Sequence, residues 1–409
     1  MLRLFAGSTI FYQGKFVKQD FIINNSQNFE IYDPQKHSQL EFDEVINCEG
    51  MHAFPGFIDP HVHLREPGFE YKDTIKTGTL SAAKGGYTSV FAMPNLNPVP
   101  DSLEHLEAEK DAIARDAVIN VYPVCAITKG QTGRGELADI DDLKNDNRLF
   151  SDDGKGVQAA ENMEAAMKKI AEADGFVLAH CEDEAELAKG DTAAAEYVHV
   201  ERDLKLTKKT GCKYHICHMS TKQSVNALRK YKNEKVSGEV TCHHLFLNEN
   251  NVQDNGAWKM NPPLRSVEDQ NAVVEGLLDG TIEMICTDNA PHSAQEKDCK
   301  FSDAAMGIVS IEVAFPLVYT KLVKTGKLPL ERAIKLMSTN AAKFFEIPGG
   351  EICENAAANI CIYNLDEQWT IDSSRFASLG KSCPFNNEQV FGKCMMTICN
   401  GEIVFREMN

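Results

Sequence analysis

The sequence predicts an α/β protein: a (β/α)8 barrel of the TIM type, with a small composite β domain formed by the N- and C-terminal segments. Three observations carry this prediction. From about residue 54 onward eight apolar, strand-like runs recur, amphipathic helical segments separate them, and the two ends of the chain are β-rich without such helices. Strands that alternate with helices form a parallel sheet, and eight such units close into a barrel.

The eight predicted barrel strands share a high content of apolar and β-branched residues, as buried parallel strands do. They cover residues 56–63, 88–94, 119–127, 148–151, 176–180, 213–218, 238–242 and 282–287. Apolar residues between them recur at helical spacing, so that one face of each helix can pack on the barrel. Two examples are Met163, Ala166, Met167 and Ile170 in one segment and Val273, Val274 and Leu277 in another.

The domain boundaries follow from the change of pattern along the chain. We predict three parts: residues 1–53 as the N-terminal part of the small β domain, 54–346 as the barrel, and 347–409 as the C-terminal part of the small β domain. The barrel ends with a helix predicted over residues 330–345. In the tail, residues 358–363 resemble a strand, and residues 396–405 form a hairpin that turns at Asn400-Gly401, a dipeptide typical of two-residue turns.

Composition and charge narrow the range of functions. The 409-residue chain is 43% hydrophobic and 25% charged, which is ordinary for a globular protein. Its formal net charge is -18, and no Lys/Arg cluster offers the basic face that a nucleic-acid backbone requires. No apolar run is long enough to span a bilayer, and the N-terminus lacks the apolar core of a signal peptide. We therefore expect a cytoplasmic protein that binds neither nucleic acid nor a membrane.

Polar side chains follow the predicted barrel strands at the points where the strands end. The first strand ends in His61-Val62-His63, and Arg65 follows two residues later. Alternate residues of a strand share a face, so His61 and His63 point the same way, with Arg65 further out toward solvent. The other strand ends supply Asn95, Asp152, Asp153, His180, His218 and Asp288. These side chains are expected to meet at the mouth of the barrel, where barrel enzymes carry out their chemistry.

This convergence predicts a binuclear metal site. Four imidazoles and two carboxylates suit two divalent metal ions, most of all Zn²⁺. The six candidate ligands are His61, His63, Asp153, His180, His218 and Asp288. We assign His61, His63 and Asp288 to one ion and His180 and His218 to the other, with Asp153 as the bridging carboxylate. Two such ions lower the pKa of a shared water molecule and polarise a carbonyl group beside it.

The Asp152-Asp153-Gly154 turn leaves the bridging ligand open between two residues. Aspartate before glycine is common in turns, where its carboxylate caps backbone amides. We expect one of the two aspartates to cap the loop and the other to bind metal.

The remaining histidines are interpreted as structural. His243 and His244 are neighbours near the end of a predicted strand, so they point to opposite faces. His215 lies three residues before His218, and strand alternation places it on the opposite face as a packed core histidine. No convergent neighbours are evident in the sequence for His37, His52, His105 and His199.

The motifs that carry this chemistry resemble those of the dihydroorotase family within the amidohydrolase superfamily. In chain order they are GFIDPHVHLREPG (56–68), MPN (93–95), SDDG (151–154), AHCED (179–183), HMSTK (218–222), NPPLR (261–265) and TDNAPH (287–292). The resemblance implies reversible interconversion of N-carbamoyl-L-aspartate and L-dihydroorotate, a step of pyrimidine synthesis, on a metal centre. It places the family's metal ligands on the six residues named above. It also implies that Asp288 acts as the catalytic base and later as the acid.

The resemblance also implies the substrate contacts and the assembly. The contacts fall on Arg65, Asn95, Asn261 and His292, with backbone groups near Met306 and Gly307. Arg65 and His292 are expected to neutralise the substrate carboxylate and Asn95 to hydrogen-bond it, which supplies local positive charge in an acidic protein. A homodimer is a further expectation from the family.

Three departures from the family pattern affect loops near the mouth. Asn289 stands where the family motif has the histidine of Asp-His-Ala-Pro-His. The segment between His180 and His218 is shorter than expected and lacks the Ser-Arg-Pro and Glu-rich entry to its helix. Residues 301–307 lack the familiar Pro-Gly. We expect these changes to alter loop geometry while sparing the metal ligands.

Two alternative functions remain open. Allantoinases and hydantoinases share the His-x-His strand but use a modified lysine as the bridging ligand, whereas here Asp153 occupies that place and Lys155 lies beyond the turn. The other alternative is a non-catalytic, dihydroorotase-like partner of aspartate transcarbamoylase. Its signature would be missing ligands, and all six are present in this sequence.

Overall fold

The structure is a computed structural model that describes residues 1–407. Its strands are Arg3–Ala6 (β1), Thr9–Tyr12 (β2), Lys15–Lys18 (β3), Phe21–Ile23 (β4), Phe29–Ile31 (β5), Glu44–Asn47 (β6), His52–Pro55 (β7), Phe57–Val62 (β8), Tyr87–Ala92 (β9), Asn120–Pro123 (β10), Leu149–Phe150 (β11), Phe176–Ala179 (β12), Lys213–Ile216 (β13), Val236–Thr241 (β14), Met284–Cys286 (β15), Ile360–Thr370 (β16), Gln389–Cys399 (β17) and Glu402–Arg406 (β18).

The α-helices alternate with the central strands. They are Ile75–Lys84 (α1), Leu103–Asp116 (α2), Ile140–Leu143 (α3), Ala160–Glu172 (α4), Glu184–Leu187 (α5), Thr192–Thr210 (α6), Lys222–Tyr231 (α7), Cys242–Phe246 (α8), Val267–Asp279 (α9), Ala294–Lys297 (α10), Ala314–Val318 (α11), Leu330–Met337 (α12) and Thr339–Phe345 (α13). Each of the eight predicted barrel runs overlaps one of the strands β8 to β15, although β9 begins one residue and β14 two residues before the predicted run. The predicted alternation of strand and helix is therefore confirmed.

Strands β8 to β15 close into the predicted barrel. Parallel pairing orders them as β10-β9-β8 and as β11-β12-β13-β14-β15. One parallel bridge joins the two sheets at each seam. Cys125 pairs with Phe150 between β10 and β11, and Val62 pairs with Asn289 between β8 and β15. At the N-terminal end of the barrel, Phe345 of α13 packs on Phe91 and Phe176 with ring centroids 4.8 and 5.3 Å away. This plug leaves the opposite, C-terminal end as the open mouth.

Amphipathic helices cover the outside of the barrel as the sequence spacing predicts. In α4 the buried residues are Met163, Ala166, Met167 and Ile170, the four residues predicted to face the core. Full burial of one such side chain stabilises the fold by roughly 1.5–3 kcal/mol. The helical faces therefore hold the strands, and with them the residues at the mouth, in fixed positions.

The two ends of the chain form one composite β domain, as predicted. β7 from the N-terminal segment pairs with β16 from the C-terminal segment, in a six-stranded sheet ordered β18-β17-β16-β7-β2-β3. The predicted hairpin is present, because β17 and β18 are joined at Asn400 and Gly401, whose φ values of 49° and 78° suit a two-residue turn. The exact domain boundaries at residues 53/54 and 346/347 stay predictions.

The prediction of a single helix over residues 330–345 is wrong in one respect. The structure has two helices, α12 and α13, separated at Ser338, whose φ of -145° and ψ of -77° are not helical. The Ser338 hydroxyl donates a hydrogen bond of 2.7 Å to the carbonyl of Gly56, just before β8. This contact offsets the broken helical hydrogen bonds and turns α13 under the barrel. Within residues 1–407, every helix is too short or too polar to cross a membrane.

Candidate active site

The first group of predicted ligands comes from the ends of β8 and β15. His63 Nε2 lies 3.0 Å from Asp288 Oδ1, and His61 Nε2 lies 3.6 Å from the same oxygen. Asp153, from the loop after β11, reaches both histidines, with Oδ1 3.3 Å from His61 Nε2 and Oδ2 3.5 Å from His63 Nε2. All four side chains are buried. The two carboxylates therefore share the same pair of imidazoles.

The second group comes from the ends of β12 and β13. His180 Nδ1 lies 3.0 Å from His218 Nε2, and both nitrogens lie 3.5 Å from Asp153 Oδ1. Asp153 therefore touches imidazoles of both groups, with His61 and His63 on one side and His180 and His218 on the other. This is the position that the sequence prediction gives to a bridging carboxylate.

The cluster has the properties of a cation site. His61 Nε2 and Asp153 Oδ1 face each other while buried, and neither finds a hydrogen-bond partner among residues 1–407. Burial favours the neutral acid of Asp153, but His61, His180 and His218 outweigh it and hold its pKa well below the ordinary value. Two sets, His61-His63-Asp288 and His61-Asp153-His218, bring donor atoms close enough to share one ion. An ionised carboxylate among imidazole lone pairs fits a divalent cation.

Glu239 is a functional residue that the sequence analysis missed. It lies on β14, fully buried, and its Oε1 is 2.8 Å from His61 Nδ1. A carboxylate only accepts hydrogen bonds, so His61 carries a proton on Nδ1 and turns Nε2 toward Asp153, where a cation would find it as a donor atom. The only signal in the sequence is a charged residue inside the otherwise uncharged strand Val236–Thr241.

The predicted position of His215 on the face opposite His218 is wrong. His215 Nε2 lies 3.1 Å from Glu239 Oε2, and the backbone N–H of His218 donates to Glu239 Oε1 at 3.3 Å. Both histidines therefore face the interior of the barrel. Strand alternation fails here because His218 has a φ of 35° and lies outside the regular strand. His215 is nonetheless buried and packed on Phe345, as a core histidine was predicted to be.

The loop after β11 separates the two neighbouring aspartates by role. Asp152 Oδ1 accepts hydrogen bonds from the backbone N–H groups of Ile127 and Thr128 at 2.8 and 3.1 Å, so this residue caps the loop. Asp153 turns into the imidazole cluster instead. Lys155 is exposed, two residues beyond the position that a bridging lysine would occupy.

The buried carboxylate of Asp59 links β8 to β15, the two strands that meet at the Val62–Asn289 bridge. Asp59 Oδ1 accepts the backbone N–H of His61 at 3.1 Å, and Asp59 Oδ2 accepts the hydroxyl of Thr287 at 2.5 Å. Burial raises the pKa of Asp59 to about 7. His61 is one of the first group of ligands, and Thr287 directly precedes Asp288. The contact through Asp59 therefore sets the distance between His61 and Asp288.

The predicted substrate residues surround a cavity of about 210 Å³ at the mouth of the barrel. Its walls include Arg65, Asn95, Asn261, His292, Met306 and Gly307, together with every candidate ligand except the fully buried His61. Some of their hydrogen-bonding groups are already used within the protein. Asn95 Nδ2 donates to the backbone carbonyl of Asp153 at 2.8 Å, and the N–H of Gly307 donates to the carbonyl of Lys259 at 3.0 Å. The Gly307 N–H is therefore not free to bind a ligand.

Two loops bring the polar groups of this cavity together. Arg65 is buried, has a φ of 65°, and donates from Nε to the carbonyl of Pro291 at 3.1 Å. On the other wall, Asn261 Nδ2 lies 3.1 Å from Glu182 Oε1 and 3.4 Å from His180 Nε2. Arg65 therefore faces the cavity from the β8 side, and Asn261 faces it from the β12 side.

The predicted role of His292 as a source of positive charge is wrong. Burial, followed by the positive charges of Arg65 and Lys72, lowers the pKa of His292 to about 3. The ring is therefore neutral near pH 7 and can offer a hydrogen bond but no charge. Lys72, which the sequence analysis missed, lies 3.2 Å from His292 Nδ1 and brings a second cation close to Arg65.

Two further expectations concern residues outside the cavity. Asn289 uses its Oδ1 to accept the backbone N–H groups of Ser310 and Ile311, at 3.0 and 3.3 Å, so its side chain supports the loop rather than the cluster. His199 does have convergent neighbours, contrary to the sequence interpretation. Its Nε2 lies 3.3 Å from Asp203 Oδ2, inside a buried group on α6. The signal in the sequence was their spacing, because residues four apart lie on the same face of a helix.

His243 and His244 are buried and lie in α8, the short helix after β14, rather than on a strand. His244 Nδ1 lies 2.8 Å from the hydroxyl of Thr241. Burial lowers the pKa of His243 to about 4 and that of His244 well below its ordinary value. Both side chains therefore stay neutral near pH 7, which agrees with a structural role.

Comparison with known proteins gives the same family as the motifs. A family model described as "Dihydro-orotase-like" matches residues 50–224. The chain is 42% identical to the dihydroorotase of Fusobacterium nucleatum, over 96% of this chain and 95% of that protein. It is 44% identical to the dihydroorotase of Listeria innocua, over 98% of both chains.

Solved structures with the same fold are more distant in sequence. An L-hydantoinase from Arthrobacter aurescens has a TM-score of 0.88 at 21% identity and covers 100% of this chain and 96% of its own. A D-hydantoinase from Thermus sp. has a TM-score of 0.84 at 24% identity, with 99% and 95% covered. At this level of identity the similarity establishes the fold and carries no information on substrate.

Proposed function

The chain belongs to the dihydroorotase family, and we propose that it catalyses the reversible, metal-dependent cyclisation of N-carbamoyl-L-aspartate to L-dihydroorotate. The observation that carries this proposal is the position of Asp153 within 3.5 Å of imidazoles from three strand ends, beside a cavity with Arg65 in its wall. Such a site combines metal ligands with a group that recognises an anionic substrate.

The donor set supports two divalent ions, and we propose zinc. His61, His63 and Asp288 would hold one ion and His180 and His218 the other, with Asp153 shared between them. The donors are imidazoles and carboxylates, and the site opens to the cavity on one side. Both features agree with catalytic zinc. When bound, the ions supply Lewis-acid activation of a water molecule and of the amide carbonyl.

Asp288 is the proposed base and acid. Burial favours its neutral form, but His61 and His63 outweigh burial and hold its pKa below the ordinary value, so the group is ionised near neutral pH and has a free oxygen lone pair for a proton. In the hydrolytic direction, Asp288 takes a proton from water as the water oxygen attacks the ring amide carbon. It then delivers that proton to the ring nitrogen as the carbon–nitrogen bond breaks. The cyclisation runs through the same steps in reverse.

The cavity wall orients the substrate carboxylate. Arg65 donates from Nε to the Pro291 carbonyl, which leaves the terminal nitrogens of its guanidinium group to face the cavity. A planar guanidinium group binds carboxylates through two parallel hydrogen bonds. Neutral His292 lies on the same wall, where its two ring nitrogens contact the Met306 carbonyl and Lys72. Asn95 keeps one amide hydrogen after donating to Asp153, and its Oδ1 is buried without a partner in the described chain. That oxygen can accept an N–H of the substrate.

The same residues weigh against the two alternatives. A hydantoinase-type site would need a lysine at the bridging position, where Asp153 stands while Lys155 points to solvent. A non-catalytic partner protein would not need the six ligands, the unpartnered donor atoms at their centre, or the cation in the cavity wall. Homodimer formation and association with aspartate transcarbamoylase stay predictions.

The test is turnover by the purified protein alone, with metal content measured on the same sample. We expect loss of L-dihydroorotate absorbance, about two metal ions per chain, and little activity on hydantoin or allantoin. A protein that carries the metals and prefers hydantoin would contradict the proposed substrate. A protein with neither metal nor turnover would favour the non-catalytic alternative.

A further inference from the structure

His292 is held between one group that can only accept a hydrogen bond and one that can only donate. Its Nε2 lies 2.7 Å from the backbone carbonyl oxygen of Met306. Its Nδ1 lies 3.2 Å from Nζ of Lys72. A carbonyl oxygen has no proton to give, and an ammonium group has no lone pair to offer. Together the two contacts favour the single ring proton on Nε2, where the Met306 carbonyl lies closer than the Arg65 guanidinium, at 2.7 Å against 3.4 Å.

We propose that Lys72 is a positioning residue that holds His292 as the Nε2–H tautomer, and so keeps its single N–H on the Met306 carbonyl, which shapes the cavity wall that meets the substrate. The second half of this inference rests on the proposed function. The first half concerns the protein alone and holds whatever the ligand is.

Lys72 is itself held in place by the surrounding residues. Its ammonium group pairs with Glu296 Oε1 at 2.8 Å, and its side chain is only 15% exposed. Glu296 is anchored in turn, because the backbone N–H and the hydroxyl of Ser293 donate to its Oε2 at 3.0 and 2.8 Å. Lys72 therefore reaches His292 from a fixed direction.

The loop that carries Lys72 also carries Arg65. The N–H of Phe69 donates to the carbonyl of Arg65 at 2.9 Å, and the N–H of Lys72 donates to the carbonyl of Phe69 at 2.8 Å. These two turns bring both cations to the His292 ring, where Arg65 lies 3.4 Å from Nε2 and Lys72 lies 3.2 Å from Nδ1. One loop therefore supplies both the guanidinium group of Arg65 and the ammonium group that orients His292.

The charged groups that face His292 are Arg65, Lys72 and Glu296. Glu296 Oε2 lies 3.7 Å from Nδ1, which is beyond hydrogen-bond distance while Lys72 occupies that side. Without Lys72, Glu296 is the nearest charged group to Nδ1 and favours a proton there. The Nε2 lone pair of that tautomer would then oppose the Met306 carbonyl, and the ring would no longer hold it.

The first experiment observes the tautomer directly. We would record nitrogen-15 spectra of histidine-labelled protein without substrate and assign His292 by its loss in His292→Asn. We expect Nε2 protonated and Nδ1 unprotonated in the wild type and in Lys72→Arg, which retains a donor. In Lys72→Met we expect protonation of Nδ1. The matched control Lys76→Met, at an exposed lysine on α1, should match the wild type.

The wild-type spectrum alone can overturn the proposal. A ring protonated on Nδ1, or on both nitrogens near neutral pH, would contradict it without any variant. An unchanged Nε2–H tautomer in folded Lys72→Met would show that Lys72 does not set it.

A kinetic experiment tests the consequence for the substrate. Lys72→Met should raise KM for L-dihydroorotate about tenfold with a much smaller change in kcat, and Lys72→Arg should restore most of the loss. Equal losses in kcat for both variants would indicate a general structural role instead. If the spectra show the expected tautomer and the wild type does not turn over dihydroorotate, the proposed function fails while the tautomer assignment stands.

Discussion

Glu239 Oε1 lies 2.8 Å from His61 Nδ1, and this contact decides which nitrogen of His61 faces the cluster. Glu239→Gln keeps the shape of the side chain but removes its charge, so the proton on Nδ1 is held less firmly. We predict a loss of about 10–100-fold in metal affinity, as for other residues that support a ligand. Titration with a competing chelator measures it. Glu234→Gln, at an exposed position, is the control and should bind metal like the wild type.

Asp153→Ala is predicted to abolish nearly all activity and to lose one of the two metal ions, because no other carboxylate among residues 1–407 contacts both histidine groups. Elemental analysis and turnover on one sample check this. Asp152→Asn is the matched comparison. It should retain the metals and lower the free energy of unfolding by about 1–2 kcal/mol, because its carboxylate bonds only to the loop after β10. An Asp153→Ala protein with two metal ions would remove this residue from the bridging role.

Arg65→Lys is predicted to weaken substrate binding more than it slows the chemical step. A lysine ammonium group cannot form two parallel hydrogen bonds with a carboxylate, and it cannot also donate to Pro291 as Arg65 Nε does. We expect KM to rise at least about tenfold with a smaller change in kcat. Steady-state kinetics separate the two, and Arg134→Lys at an exposed position is the control. An unchanged KM would remove Arg65 from carboxylate recognition.

The barrel and the six clustered side chains could be predicted because both follow from local patterns. Strand length, helical spacing and polar residues at strand ends are visible within a few residues of each other. The residues that were missed act across the fold. Glu239 meets His61 178 positions away, and Lys72 meets His292 220 positions away. No periodicity in the sequence reports such contacts.

The positional errors have local physical causes that the sequence does not show. His218 leaves the strand with a positive φ, so alternation could not place His215. Ser338 interrupts a helix whose apolar spacing continues past it, because its hydroxyl bonds to Gly56 across the barrel. In both cases a tertiary contact or a strained backbone overrides the pattern.

A buried acid far from the active site gives the fold a pH dependence. Glu109 on α2 is only 2% exposed, and its Oε2 has no hydrogen-bond partner in the described part of the chain. Burial raises the pKa of Glu109 well above the model-peptide value of 4.5. A carboxyl group with a raised pKa contributes stability below its unfolded pKa, and that contribution is lost as the pH rises toward its folded pKa.

Glu109→Gln is therefore predicted to stabilise the protein at alkaline pH and to have little effect under acidic conditions. The wild type must either keep the acid protonated or bury an unpaired charge, which costs up to about 1.4 kcal/mol per pH unit above the unfolded pKa. The variant has no ionisable group at this position. Urea unfolding at about pH 5 and about pH 8 measures the difference, which should grow by at least about 1 kcal/mol between them. A constant difference between the two proteins would mean that Glu109 has the same pKa in the folded and unfolded chain. A variant that loses stability relative to the wild type at the higher pH would show that the carboxylate is stabilised where it lies.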